Sequence, residues 1–162
     1  MSKLSTASSA VMLMTVLVVV ASFAGVVYAE PVEGRVEIGD VFTVTSYRGV
    51  AFAAENGETV KKTASLHLTI QVIEAQEHMC RFKITSGTVN VDGTSYAIAS
   101  GTGRAGFDER PRLVALNATM PNGEIHLRGR YRVAEGTITL VGLISIDDTL
   151  YCLRLPSTVE RS

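Results

Sequence analysis

The stretch EIHLRGRYRVAEGTITLVGLISI, residues 124–146, decides how the chain folds. In its first part Ile125, Leu127, Tyr131 and Val133 share one parity; in its second part Ile138, Leu140, Ile144 and Ile146 do the same. Successive side chains on a strand point to opposite faces, so this alternation is the period-2 signature of half-buried strands. Between the two runs AEGT, with Gly136, reads as a short connection, which makes the pair an antiparallel hairpin.

Working outward, the same grammar recurs. Val36, Ile38, Phe42 and Val44 share a parity, as do Leu66, Leu68, Ile70 and Val72, and also Cys80, Phe82 and Ile84. Asn56-Gly57, Asp92-Gly93 and Asn122-Gly123 are dipeptides that supply the positive φ of tight hairpins, and Asp147-Asp148 reads as a further short turn. No window carries the 3.6-residue period of an amphipathic helix. These features predict an all-β fold, an antiparallel meander of about eight to ten strands that closes as a small barrel or folds into a sandwich to protect its edges. Glycine-led segments starting at Gly34, Gly87 and Gly129 share a strand–turn–strand grammar but are unevenly spaced, which excludes a fixed-period solenoid or propeller and leaves one β domain over 30–162.

The first 29 residues are different in kind. Lys3 and the amino terminus give a positive start, an uncharged apolar run spans Val11 to Val27, and Val27 and Ala29 precede Glu30 in the pattern of a signal-peptidase site. The segment reads as a hydrophobic helix, either a cleaved signal peptide or, since the run approaches the ~20 residues that span a bilayer, an N-terminal membrane anchor. Both readings place the remainder outside the cytoplasm, secreted or attached to the membrane. Without Lys3, 14 basic residues stand against 16 acidic ones, a formal charge of −2. That near-neutral balance argues against a general nucleic-acid binder, which is usually strongly basic.

GTGRAG, residues 101–106, spells the G-x-G-x-x-G of dinucleotide-binding proteins. That chemistry needs a helix to open at the third glycine and offer its free N–H groups to a pyrophosphate. Here Pro111 and an alternating run follow, so the expected structure is a strand-to-strand loop, its glycines joined by Arg104, Asp108, Glu109 and Arg110 at the rim of the fold.

The remaining candidates are scattered. Cys80 and Cys152 form an even pair in an oxidising compartment, which predicts one disulfide. The competing reading is a copper or redox site at His78, Met79 and Cys80, three donors that converge only if the segment turns. His67, His78 and His126 lie in separate segments without a nucleophile elbow or an H-E-x-x-H motif, so neither catalysis nor a bound cofactor is expected. Asn117-Ala118-Thr119 is a glycosylation sequon at an expected strand end. In HLRGRYR, His126, Arg128, Arg130 and Arg132 fall on one face of a strand. Such a row either pairs with carboxylates such as Glu124 and Glu135 or across the ladder, or serves as an anion-binding stripe for an acidic protein, an envelope polymer or lipid head groups.

Three functions follow: a non-catalytic binding or interaction module at the cell envelope, a barrel that carries a small apolar ligand, and a copper-binding exported protein. The first is the expectation. An open cavity lined by Leu68, Ile70, Leu127 and Tyr131 would favour the second.

Overall fold

The computed structural model describes residues 35–55, 58–106, 112–132 and 136–162, with the side chains of Arg112, Leu113 and Arg132 excepted. The expected helix over 1–29, the Asn56-Gly57 turn, and Asp108, Glu109, Arg110 and Glu135 lie outside these residues. The described residues form nine strands: β1 (Val41–Glu55), β2 (Glu58–Ala75), β3 (Met79–Val91), β4 (Thr94–Ala97), β5 (Ser100–Gly106), β6 (Arg112–Met120), β7 (Gly123–Arg132), β8 (Thr137–Ile146) and β9 (Thr149–Arg161).

All pairings are antiparallel, in the order β2-β1-β9-β8-β7-β6-β5-β3-β4, and a further β2–β3 pairing closes the sheet on itself. The molecule is therefore a barrel and not a sandwich. β4 and β5 share the same side of β3, β5 against Met79–Ile84 and β4 against Thr88–Val91, in a common register. They are one wall position broken at Ile98 and Ala99, whose N–H groups donate to Gly87 O and to Thr119 O respectively. Eight strands close the wall, and β4 extends one of them. Closure pairs the two edges of the eight-strand wall that an open sheet of this size would expose to aggregation, while β4 pairs with β3 on one side.

Turn chemistry accounts for the register. Asp92 (φ 54°) and Gly93 (φ 84°) join β3 to β4, and Asp147 (φ 47°) and Asp148 (φ 64°) join β8 to β9. Positive φ at both central residues matches the right-handed twist of the flanking strands, and Asp tolerates it better than most side chains. The β6–β7 turn differs from the sequence expectation by one residue: Met120 pairs with Gly123, so Pro121 and Asn122 make the turn and Gly123 belongs to the ladder. Proline, with φ preset near −65°, suits the first position of such a turn.

Alternation puts Leu66, Leu68, Val72, Phe82, Ile125, Leu127, Leu140 and Ile144 inside, all buried. Outward positions of β2 are Lys61, Thr63, His67, Thr69 and Gln71, so the wall is apolar within and polar without. One expected strand is shorter than its parity suggested. The segment Glu37 to Asp40 turns, with the Glu37 N–H donating to the Asp40 carboxylate at 2.8 Å and Gly39 at φ 97°, so Ile38 is 68% exposed and β1 begins only at Val41.

Two further expectations are corrected. GTGRAG is not a loop: it is most of β5, paired with β3 through Met79–Ile84 and with β6 through Val114–Ala118. The Cys80–Cys152 disulfide does not form, and both thiols are free. Cys80 points into the barrel from β3, whereas Cys152 stands exposed on β9. β2 and β1 lie between those strands on the shorter way round, a separation of roughly 14 Å at ~4.8 Å per strand, against the ~7 Å limit for bridging Cα atoms.

The interior is packed unevenly. Toward the β8–β9 turn Ile125, Ile144, Ile146 and Leu153 fill the section, while at the opposite end, where β1 begins and β9 finishes, a cavity of about 100 Å³ remains. Leu68, Ile70 and Tyr131 line it as the alternation suggested, and Leu127 does not.

Candidate anion-binding groove

On β7 the expected stripe is present as far as it is described: His126, Arg128 and Arg130 all face outward and are exposed. Their cross-strand neighbours are Asn117 and Leu143 for His126, Ala115 and Val141 for Arg128, and Leu113 and Thr139 for Arg130. None is a carboxylate, so the ladder does not neutralise the row. Among the described carboxylates Glu124 approaches it, 3.3 Å from His126 Nε2, while His126 Nδ1 lies 2.9 Å from Asn117 Oδ1. The imidazole thereby lies between two partners.

Register adds a second direction that no single strand displays. Arg81 on β3 pairs with Arg104 on β5, Arg104 with Ala115 on β6, and Ala115 with Arg128 on β7. Three arginines thus lie in one transverse row, with a single methyl group between the second and third. Arg104 and Arg128 stand two strands apart, roughly 10 Å, so their long side chains wall a hollow whose floor is Ala115. The hollow measures about 860 Å³ and is lined by Met79, Arg81, Thr102, Arg104, Asn117, His126, Arg128, Val141 and Leu143, with the backbone of Gly103 and Gly142 beneath. Among the described residues no aspartate or glutamate lines it.

Charge in the groove is only partly compensated. Arg81 pairs with Glu74 at 3.3 Å. Among the described residues Arg104, Arg128 and Arg130 have no ion pair, and Arg154 continues the transverse row beyond Val141 in the same condition. Guanidinium groups are planar forks that engage carboxylate or phosphate oxygens two at a time, and two of them facing across a methyl floor can hold one tetrahedral or planar anion from both sides.

The other sequence candidates fall elsewhere. Met79 lines this outer groove while Cys80 lines the interior cavity, so neighbouring residues in the His78-Met79-Cys80 set face opposite sides of the wall and their donors do not converge. Burial pushes the Cys80 thiol above its ordinary value of 9.0, which keeps it protonated. His67 on β2 and His78 at the β2–β3 turn are exposed and remote from His126 in the strand order. Asn117 lies in the middle of β6, paired with Thr102 and His126, and not at a strand end. Arg104 and Arg81 are the groove residues that strand-by-strand reading missed: alternation in CRFKI turns Arg81 outward, but only the register between strands brings the two together.

Fold and groove define the protein as an eight-stranded antiparallel up-and-down barrel with a cationic hollow on its outer wall. No protein-family model, no curated protein and no solved structure matches the chain.

Proposed function

We propose that the protein is an exported binding module of the cell envelope that captures an anionic partner in the groove between Arg104 and Arg128. The observation that carries the reading is the pairing of these arginines through Ala115 in a hollow that no carboxylate lines among the described residues. Cations placed close together repel one another, by about 1 kcal/mol per pair at 4 Å in bulk water and less at the ~10 Å spacing here, unless an anion joins them. The export reading rests on Lys3, the Val11 to Val27 run and the Val27-Tyr28-Ala29 site. The partner is a carboxylate- or phosphate-bearing surface: an acidic protein, an envelope polymer or lipid head groups.

The test is the double change Arg104→Gln with Arg128→Gln. Both side chains are exposed, so the thermal midpoint should stay within about 2 °C. Binding to phosphatidylglycerol vesicles or to polyglutamate, measured at low salt, should weaken at least tenfold, because each charge-assisted contact is worth about 1.5–3 kcal/mol. Equal binding by the wild type and the double variant at every salt concentration removes the groove from the function.

A further inference from the structure

The interior of the barrel carries a second, chemically opposite site. At the end where Val36 packs against the core, a cavity of about 100 Å³ remains, walled by Phe42, Leu68, Phe82, Leu116 and Leu140. Among the described residues the Cys80 sulfur and the Tyr131 hydroxyl are the only side-chain heteroatoms in that wall. A water molecule needs two to four polar partners to be held, and a described wall that is hydrocarbon apart from these two atoms offers the minimum at best, so the space favours an apolar guest. Size then selects the guest. At about 100 Å³ the space is smaller than the ~150 Å³ of a dry cavity that accepts benzene, which favours the narrow end of a chain.

We propose that this end of the barrel binds the terminal carbons of an unbranched alkyl chain, the rest of the molecule remaining outside the apolar space. Position supports the same chemistry. The lining comes from the start of β1, β3, β6 and β8 and from the finish of β2, β5, β7 and β9, so the cavity is a terminal chamber of the barrel and not a void sealed in its middle. The site is independent of the arginine groove, which lies on the outer side of the wall.

The test uses an uncharged chain, so that the outer arginines do not respond. Millimolar 1-hexanol should raise the thermal midpoint of the full chain by about 3–5 °C, as expected for a ligand that binds only the folded state. It should shift the methyl resonances of Leu68, Ile138 and Leu140 while leaving those of Ile144 and Leu153, at the filled end, in place. Ala105→Leu inserts a side chain from the wall into the cavity and should abolish both responses, with Val114→Leu as a second filling variant should the first fail to fold. A hexanol response that is undiminished in a folded filling variant, methyl shifts spread evenly over both ends, or stronger stabilisation by benzene than by hexanol would each overturn the proposal.

Discussion

Ser46 is the one buried side chain among the described residues whose polar atom lacks a hydrogen-bond partner. It points inward from β1 opposite Leu66, immediately before the irregularity at Tyr47 and Arg48 that shifts the β1–β2 register. By contrast Ser157, the other buried polar residue, donates its hydroxyl to Leu155 O at 3.0 Å. An unpaired hydroxyl in an apolar interior forfeits its water without compensation, at a cost of about 1–3 kcal/mol. Alanine removes the hydroxyl and leaves almost no void. Ser46→Ala should therefore raise the urea midpoint, by about 1 kcal/mol of stability; a loss of that size would reveal a partner for the hydroxyl in solution.

At the scale of the element, β5 explains why one strand escaped sequence reading. Its inward positions include Gly101 and Gly103, which show no apolar alternation, yet both are places where a side chain is missing because a neighbour occupies the space. A Cβ on Gly103 would meet the Phe82 ring and come within 2.6 Å of Ala115 O; one on Gly101 would meet the Ile84 side chain. The G-x-G pattern is thus a packing device that lets β5 lie beneath two large residues of β3. Gly103→Ala should cost about 1–3 kcal/mol through overpacking. Combined with Phe82→Leu, it should cost less than the sum of the two changes, a coupling that a double-mutant cycle measures directly. Where inward residues are aliphatic, as at Leu66 to Val72 or Ile138 to Ile146, the buried face was legible from parity alone. Register was not legible, since it depends on turn lengths such as Pro121-Asn122 and on the break at Ile98. The β7 row of the groove could therefore be read from sequence, and its partners Arg81 and Arg104 could not.

The whole molecule depends on bringing its first and last strands together, because β1 and β9 pair only across the full length of the chain. Such closure is a non-local contact that a meander of local hairpins cannot supply by itself. One side-chain latch sits at this seam: Arg161 near the end of β9 donates to the Asp40 carboxylate just before β1, and its guanidinium lies 5.9 Å from the Phe42 ring centroid. The Arg161 hydrogen bond, helped by the Glu37 N–H, holds the Asp40 carboxyl below its ordinary value of 3.8. A carboxyl whose folded value is depressed binds its proton more readily in the unfolded chain. Its contribution to stability is complete above the unfolded value near 4 and is lost as pH falls through the lower folded value. Asp40→Asn should therefore lower stability at pH 7 by about 1 kcal/mol or less, the range of a partly exposed pair. The difference from wild type should shrink steadily below pH 4 and vanish once Asp40 is protonated in both states. Urea unfolding of both proteins at pH 7, 4 and 2.5 measures it. A gap that persists undiminished at pH 2.5 would mean that the amide disturbs the Glu37 to Asp40 turn itself, and that the charge on Asp40 is not what closes the seam.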